Sequence, residues 1–412
     1  MNHDTYRALF LEVLESLDDK FLFEEIHPGT FSKKCNESFS EFLITSCSRG
    51  YYDIVQFYSS KDVDFKINIV DKTPLTAACE GGHEKLVQLL IEKGCNMNQV
   101  GGWERTPLTA ACAGGHEKTV QLLIEKGCNM NQVDGLRQTP LTAACEEGHE
   151  KIVQLLIEKG CYMNQVDGWK ETPLTSACRE GHEKTVQLLI EKGCNMNQVG
   201  KWRQTALTAV CRGGHEKTVQ LLIEKGCNMN QVNGWSQTPL TAACKEGHEK
   251  TVQLLIEKGC NMNQVDGLRQ TPLTAACDGG HEKTVQLLIE KGCNMNQVVE
   301  RRQTPLTAAC KGGHEKTVQL LIEKGCNMNQ VDGRRQTPLT AACEGGHEKT
   351  VGSWGQAALT AACRGGHEKT VQLLIDKGCN INQVNGWGHT PMTAACEDGN
   401  EKKSTVTYRQ MM

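Results

Sequence analysis

The sequence predicts an all-α solenoid built from tandem two-helix units, and three observations lead there. The same text returns every 33 residues: HEKTVQLLIEKGCNMNQV begins at His116 and is spelled identically from His182, His215, His248, His281 and His314. Each period carries two helix signatures separated by glycines. Neither helix is long enough to bury a core alone, so each unit must cover the apolar stripe of the next.

Within one unit the signals run in order. TPLTAAC begins at Thr73, Thr106, Thr139, Thr238, Thr271, Thr304 and Thr337, with TPLTSAC at Thr172 and TALTAVC at Thr205. Thr73 suits an N-cap and Pro74 the first helical position, so a short helix starts there. Gly81 and Gly82 stop it. A second helix follows from about His83, where Val87, Leu90 and Ile91 stand three and four apart as an apolar stripe, and Gly94 ends it. The Asn- and Gly-bearing segment CNMNQVGGWER, from Cys95 to Arg105, then suits a turn or extended finger.

TPLTAACEGGHEKLVQLLIEKGCNMNQ resembles the ankyrin repeat family from residue 73 to about residue 400. That resemblance implies an ankyrin-repeat solenoid, a β-turn finger plus two antiparallel helices per unit. It also implies a concave face, lined by finger tips and first helices, that grips protein partners. Thr76 and its equivalents stand where the family usually has His, so the family's inter-unit bond is not expected from that position. The histidines from His83 to His367 resemble the family's structural Gly-His pair. Asn98 and its equivalents resemble an asparagine that oxygenases hydroxylate in some ankyrin proteins, but a buried turn hydrogen bond is the favoured role.

The ends and one interruption depart from the pattern. Residues 5–26 read as an amphipathic helix with Leu9, Val13, Leu17 and Phe21 on one stripe, so 1–40 is expected to be an N-terminal helical cap. In 41–72, ITSCSRGYYDIVQ aligns with LTAACEGGHEKLVQ at a displacement of 32, which marks a degenerate unit. Eight full units fill 73–336. HEKTV at 347–351 then passes directly into GSWGQ, so 337–356 reads as a truncated unit lacking its second helix. A full unit over 357–389 and a partial terminal unit and tail over 390–412 complete the chain.

Composition narrows the function. The net charge of −4 over 412 residues gives no bulk attraction to nucleic acid or membrane. No apolar run approaches the ~20 residues of a membrane span. Asp4, Glu12, Glu15, Asp18 and Asp19 interrupt the N-terminal segment, and no basic stretch precedes it, so a secretory signal is not expected. Of the 22 cysteines, all but Cys35 and Cys47 fall into two ladders, TAAC (Cys79, Cys112 and equivalents) and KGC (Cys95, Cys128 and equivalents). Units stacked at ~8–10 Å hold equivalent residues too far apart to bridge. They read as small buried hydrophobes in a reducing compartment, which places the chain in the cytoplasm, with the nucleus also open. No CxxC pair exists, HEKTV lacks the second histidine of HExxH, and no P-loop occurs. No residue stands apart from its equivalents as a nucleophile or base would. No enzyme activity, metal or cofactor is expected.

Identical residues cannot discriminate along a partner, so specificity must lie where the copies differ. They differ at the finger tip, before each TPL, and at the end of the first helix, just after TAAC. All six tryptophans occupy one tip position, third before the residue that opens a unit: Trp103, Trp169, Trp202, Trp235, Trp354 and Trp387. Leu136, Leu268, Arg301 and Arg334 fill that slot elsewhere. Indoles there either pack on neighbouring fingers or anchor a partner, because Trp and Arg dominate many binding energies. Between 201 and 335 the variable positions carry Lys201, Arg203, Arg212, Lys245, Arg269, Arg301, Arg302, Lys311, Arg334 and Arg335 against Glu246, Asp278 and Glu300, and the excess survives Asp266 and Asp332. The expected partner-binding set is Trp103, Trp169, Arg179, Trp202, Arg203, Arg212, Trp235, Lys245, Arg301, Arg302, Lys311, Arg334 and Arg335.

The expected function is therefore a non-catalytic scaffold or adaptor that takes protein partners with acidic, extended segments through carboxylate forks. Two alternatives stay open: a spacer whose repeat length is the function, and RNA binding by the basic strip 201–335. The second-helix glutamates dilute any polyanion field, which disfavours nucleic acid.

Overall fold

The computed structural model describes residues 43–59, 72–99, 105–199, 204–233, 237–298, 303–333, 336–344 and 368–386, with 388, 390 and 391. The expected cap over 1–40 lies outside them, as do 345–367 and the tail beyond 391. The described chain is helical, paired helix after paired helix in tandem, as an ankyrin-repeat solenoid requires. It divides into two compact units, Met1–Ala144 and Cys145–Met412.

In the first unit, helical residues 43–48 and α1 (Tyr52–Ser59) precede the pairs α2 (Pro74–Glu80) with α3 (Glu84–Glu92) and α4 (Pro107–Ala113) with α5 (Glu117–Glu125). First helix packs on first helix and second on second: α2 on α4, α1 on α3, α3 on α5. Next comes α6 (Pro140–Glu146), which runs across the boundary. The second unit continues with α7 (Glu150–Glu158), α8 (Pro173–Glu180), α9 (Glu183–Glu191), α10 (Ala206–Gly213) and α11 (Glu216–Glu224). Then follow α12 (Pro239–Glu246), α13 (Glu249–Glu257), α14 (Pro272–Asp278), α15 (Glu282–Glu290), α16 (Pro305–Lys311), α17 (Glu315–Glu323), α18 (Pro338–Glu344) and α19 (Glu368–Asp376).

Local chemistry fixes these bounds. Thr106 Oγ1 accepts the Thr109 N–H at 3.1 Å, and Pro107 fills the first helical position. Thr238 and Thr304 cap their helices in the same way. Such a cap is worth about 1 kcal/mol. The threonine hydroxyls also bond each other, Thr106 to Thr109 at 2.8 Å, so the residue that replaces the family's histidine closes a bond inside its own unit. Gly115 (φ 75°) ends α4, and the His116 N–H reaches back to Ala111 O at 3.1 Å. At the end of α5, Gly127 (φ 86°) lets the Cys128 N–H bond Leu123 O at 3.1 Å.

The stack is dry. Leu108, Ala110, Ala111 and Cys112 from the first helix and Val120 and Leu123 from the second are buried, as are their equivalents. Each such leucine or valine contributes about 1.5–3 kcal/mol by leaving water.

Two polar ladders bind unit to unit. Helix-start histidines donate Nε2–H to a first-helix carbonyl of the preceding unit: His116 to Glu80 O at 2.7 Å, His215 to Arg179 O at 3.0 Å, His248 to Arg212 O at 2.8 Å. A carbonyl only accepts, so the proton sits on Nε2. The ring lies so close that a Cβ on Gly82 would stand 2.3 Å from His116 Nδ1, which is why Gly precedes the histidines. The second ladder runs through the asparagines: the Asn129 N–H donates to Asn98 Oδ1 at 2.8 Å, and Gln132 Nε2 to Asn98 O at 2.9 Å. Asn98 is exposed, not buried as its turn chemistry suggested. Its side chain reaches outward to the next unit, while Asn96 Oδ1 takes the local turn bond from the Asn98 N–H.

Residues 43–59 hold the place of the degenerate unit. Cys47 is buried, Gly50 has φ 71°, and Ser48 O accepts from His83 Nε2 at 2.9 Å, as Glu80 O does from His116.

Candidate interaction surface

The fingers are closed by a carboxylate. Asp134 N–H donates to Gln138 O at 2.9 Å, and Asp134 Oδ1 accepts the Gln138 N–H at 2.7 Å. Asp167 with Glu171 and Asp266 with Gln270 repeat both bonds. Asn233 does the same with a neutral amide: its Oδ1 accepts the Gln237 N–H at 2.8 Å. Burial pushes the Asp134 carboxyl up to about 6, against the pull of the Gln138 N–H and the Arg105 charge. Burial also raises Asp167 to about 6, with Glu171 and Glu146 adding repulsion.

This loop sets what the tip displays. Leu136, Trp169 and Leu268 hold the slot of the tryptophan row and are 37%, 47% and 37% exposed. The next residue takes a left-handed backbone, with φ 69° at Arg137, 57° at Lys170 and 59° at Arg269. A non-glycine there costs of order 1 kcal/mol. At the equivalent position after Trp387 the chain has Gly388, with φ 84°, which is the signal in the letters for this backbone.

The first-helix ends differ from one another. Arg179 is engaged by carboxylates: Nη2 to Glu146 Oε1 at 3.1 Å and to Glu171 Oε2 at 3.4 Å, and Nη1 to Glu180 Oε1 at 2.9 Å. Ser176, where other units have Ala, donates to Glu171 Oε2 at 3.3 Å. Arg179, expected among the partner-binding residues, thus already holds carboxylates of its own chain, and Glu147 and Glu180 leave this stretch acidic. Arg212 Nη2 donates to Gln237 Oε1 at 2.9 Å. Lys245 and Lys311 stand exposed, with Asp278 exposed at the equivalent position between them. The other expected partner-binding residues, Trp103, Trp202, Arg203, Trp235, Arg301, Arg302, Arg334 and Arg335, lie outside the described residues.

The described thiols are buried. Burial pushes Cys128, Cys161 and Cys194 up to about 12, far from thiolate at neutral pH. No disulfide joins the described cysteines, and no group of three or more metal-ligating side chains occurs among the described residues. No described helix is long and apolar enough to cross a membrane.

Paired short helices, capped by Thr-Pro and tied by histidine and asparagine ladders, define the class: a helical-repeat protein with its variation on exposed tips and first-helix ends. The family model described as ankyrin repeats (3 copies) matches residues 43–134, 127–200, 206–299, 273–352 and 348–406. The chain belongs to the ankyrin repeat family. Among solved structures it is similar to the human ASB11 ankyrin repeat domain, at 26% identity and a TM-score of 0.50, over 54% of this chain and 99% of that one. A comparison with curated proteins finds no match. Ankyrin repeats are generally protein-interaction modules without catalytic activity.

Proposed function

We propose that this protein is a non-catalytic scaffold of the cytoplasm that grips an acidic, extended segment of a protein partner along its variable tips and first-helix ends. One observation carries the reading: the letters that build the stack and its ladders repeat, while letters that vary emerge exposed at Leu136, Trp169, Leu268, Lys245 and Lys311. Apolar tips supply desolvated contact area and flanking cations supply charge-assisted hydrogen bonds. With Arg179 held by Glu146, Glu171 and Glu180, the cationic grip lies C-terminal to it, from Arg212 through Lys245 and Lys311 to the arginines at 301, 302, 334 and 335. The test is affinity capture with the full chain against the same chain carrying Lys245→Ala, Lys311→Ala, Arg301→Ala and Arg334→Ala, both checked for folding by circular dichroism. Loss of partners with acidic segments supports the reading. An unchanged partner list overturns it in favour of a spacer, and loss of RNA instead of protein would favour the polyanion alternative.

A further inference from the structure

The interruption after residue 351 leaves a trace in the asparagine ladder. Between regular units the Asn327 N–H donates to Asn296 Oδ1 at 3.0 Å, Gln330 Nε2 to Asn296 O at 3.2 Å, and Cys326 Sγ to Asn296 Oδ1 at 3.4 Å. The same three bonds recur from Asn380, Gln383 and Cys379 to Asn329, at 2.9, 2.8 and 3.5 Å. Their separations are 51, 54 and 50 residues, in place of 31, 34 and 30. Each is longer by 20, the length of chain by which TPLTAACEGGHEKTV is repeated as AALTAACRGGHEKTV. Accordingly α19 packs on α17 and on α18, as α17 packs on α15 and α16. Val371 and Leu374 are fully buried in that position, as Val318 and Leu321 are in theirs.

We propose that α18 and α19 are the two helices of one composite unit, joined across 20 additional residues, and that the near-copy of α18 at 358–364 competes with it for the same second helix. The chain then carries a register switch. Segments 338–351 and 358–371 differ only at Pro338 against Ala358 and Glu344 against Arg364, so the same apolar letters face α16 and α19 in either register. What chooses between them is the start of the helix. Thr337 Oγ1 accepts the Thr340 N–H at 3.1 Å and Pro338 follows it, whereas Ala357 has no side-chain acceptor and Ala358 no fixed φ. A lost cap corresponds to a preference of about five-fold for α18. The registers differ in outcome, because one places Glu344 and the other Arg364 at the variable end of a first helix.

Hydrogen exchange of residues 369–376 in the full chain tests this. Leu339 is fully buried; Leu339→Ala is expected to speed exchange there by no more than about six-fold, because the second register then takes over α19, Leu359→Ala to change it by less than about two-fold, and the two together to speed it by well over about ten-fold. Exchanging the starts, with Thr337→Ala, Pro338→Ala, Ala357→Thr and Ala358→Pro together, is expected to transfer the sensitivity to Leu359. Sensitivity to Leu359 and not Leu339 in the native sequence overturns the composite unit. Sensitivity that stays with Leu339 after the exchange overturns the switch.

Discussion

Replacing Asp134 by Asn should tighten its finger at neutral and alkaline pH and lose that advantage in acid. The carboxyl stands at about 6 in the folded chain against an ordinary 3.8, because burial disfavours its charge more than the Gln138 N–H and Arg105 favour it. A group raised on folding contributes its stabilisation fully below its unfolded value and forfeits it as pH rises through the folded one. From 3.8 to about 6, at about 1.4 kcal/mol per pH unit, the ionised carboxylate costs up to about 3 kcal/mol at pH 8. Asparagine keeps the essential acceptor without the charge, as Asn233 demonstrates with its 2.8 Å bond from the Gln237 N–H. That cost already nets the attraction to Arg105, but the asparagine amide nitrogen would stand where Asp134 Oδ2 is buried without a hydrogen-bond partner and takes back part of the gain, so about 1–2 kcal/mol is expected. Unfolding of a repeat array is not a single two-state event, so the readout is local. In native-state hydrogen exchange, the Gln138 amide should exchange about 5- to 30-fold more slowly in Asp134→Asn at pH 8, with the ratio shrinking below pH 5 after correction for intrinsic rates. Equal or faster exchange at pH 8 would refute the claim that burial, and not hydrogen bonding, governs this carboxyl.

Three further outcomes follow from the same geometry. Thr238→Ala removes the cap of α12 and should cost about 1 kcal/mol, read as faster exchange over 239–246. His248→Ala removes the bond to Arg212 O and leaves that carbonyl to water; a local loss of about 1–3 kcal/mol at the junction of α10 and α12 is expected by the same measurement. Arg269→Gly relieves a left-handed backbone at φ 59° and should stabilise its finger by about 1 kcal/mol, visible as slower exchange of the Gln270 amide.

How far the letters reach can be judged residue by residue. Thr-Pro starts, glycine stops and the i, i+3, i+4 stripe of Val120 and Leu123 were legible because they encode local conformation and a period that repetition displays many times over. Leu136, Trp169 and Leu268, at variable tips, stand exposed, but variation alone does not mark exposure, since Leu86, Thr119 and Ile152 share one varying position and all are buried. The pairing of Arg179 was not legible. Its partners Glu146 and Glu171 lie 33 and 8 residues away, and only stacking brings them within 3.4 Å. Nor was the direction of Asn98, whose turn chemistry pointed inward while its acceptor serves the following unit at 2.8 Å.

The sequence by itself determined the unit: its length, its two helices, their bounds and the buried face, all properties of chemistry within a few residues. Tertiary structure decided what crosses between units. It chose the carbonyl that each histidine meets, left Lys245 and Lys311 exposed while enclosing Arg179 in carboxylates, and raised Asp134 toward neutrality by burial. It also set Asn380 against Asn329 across 51 residues where the period is 33. Those outcomes depend on which repeated surface is covered by which neighbour, and near-identical copies cannot say that of themselves.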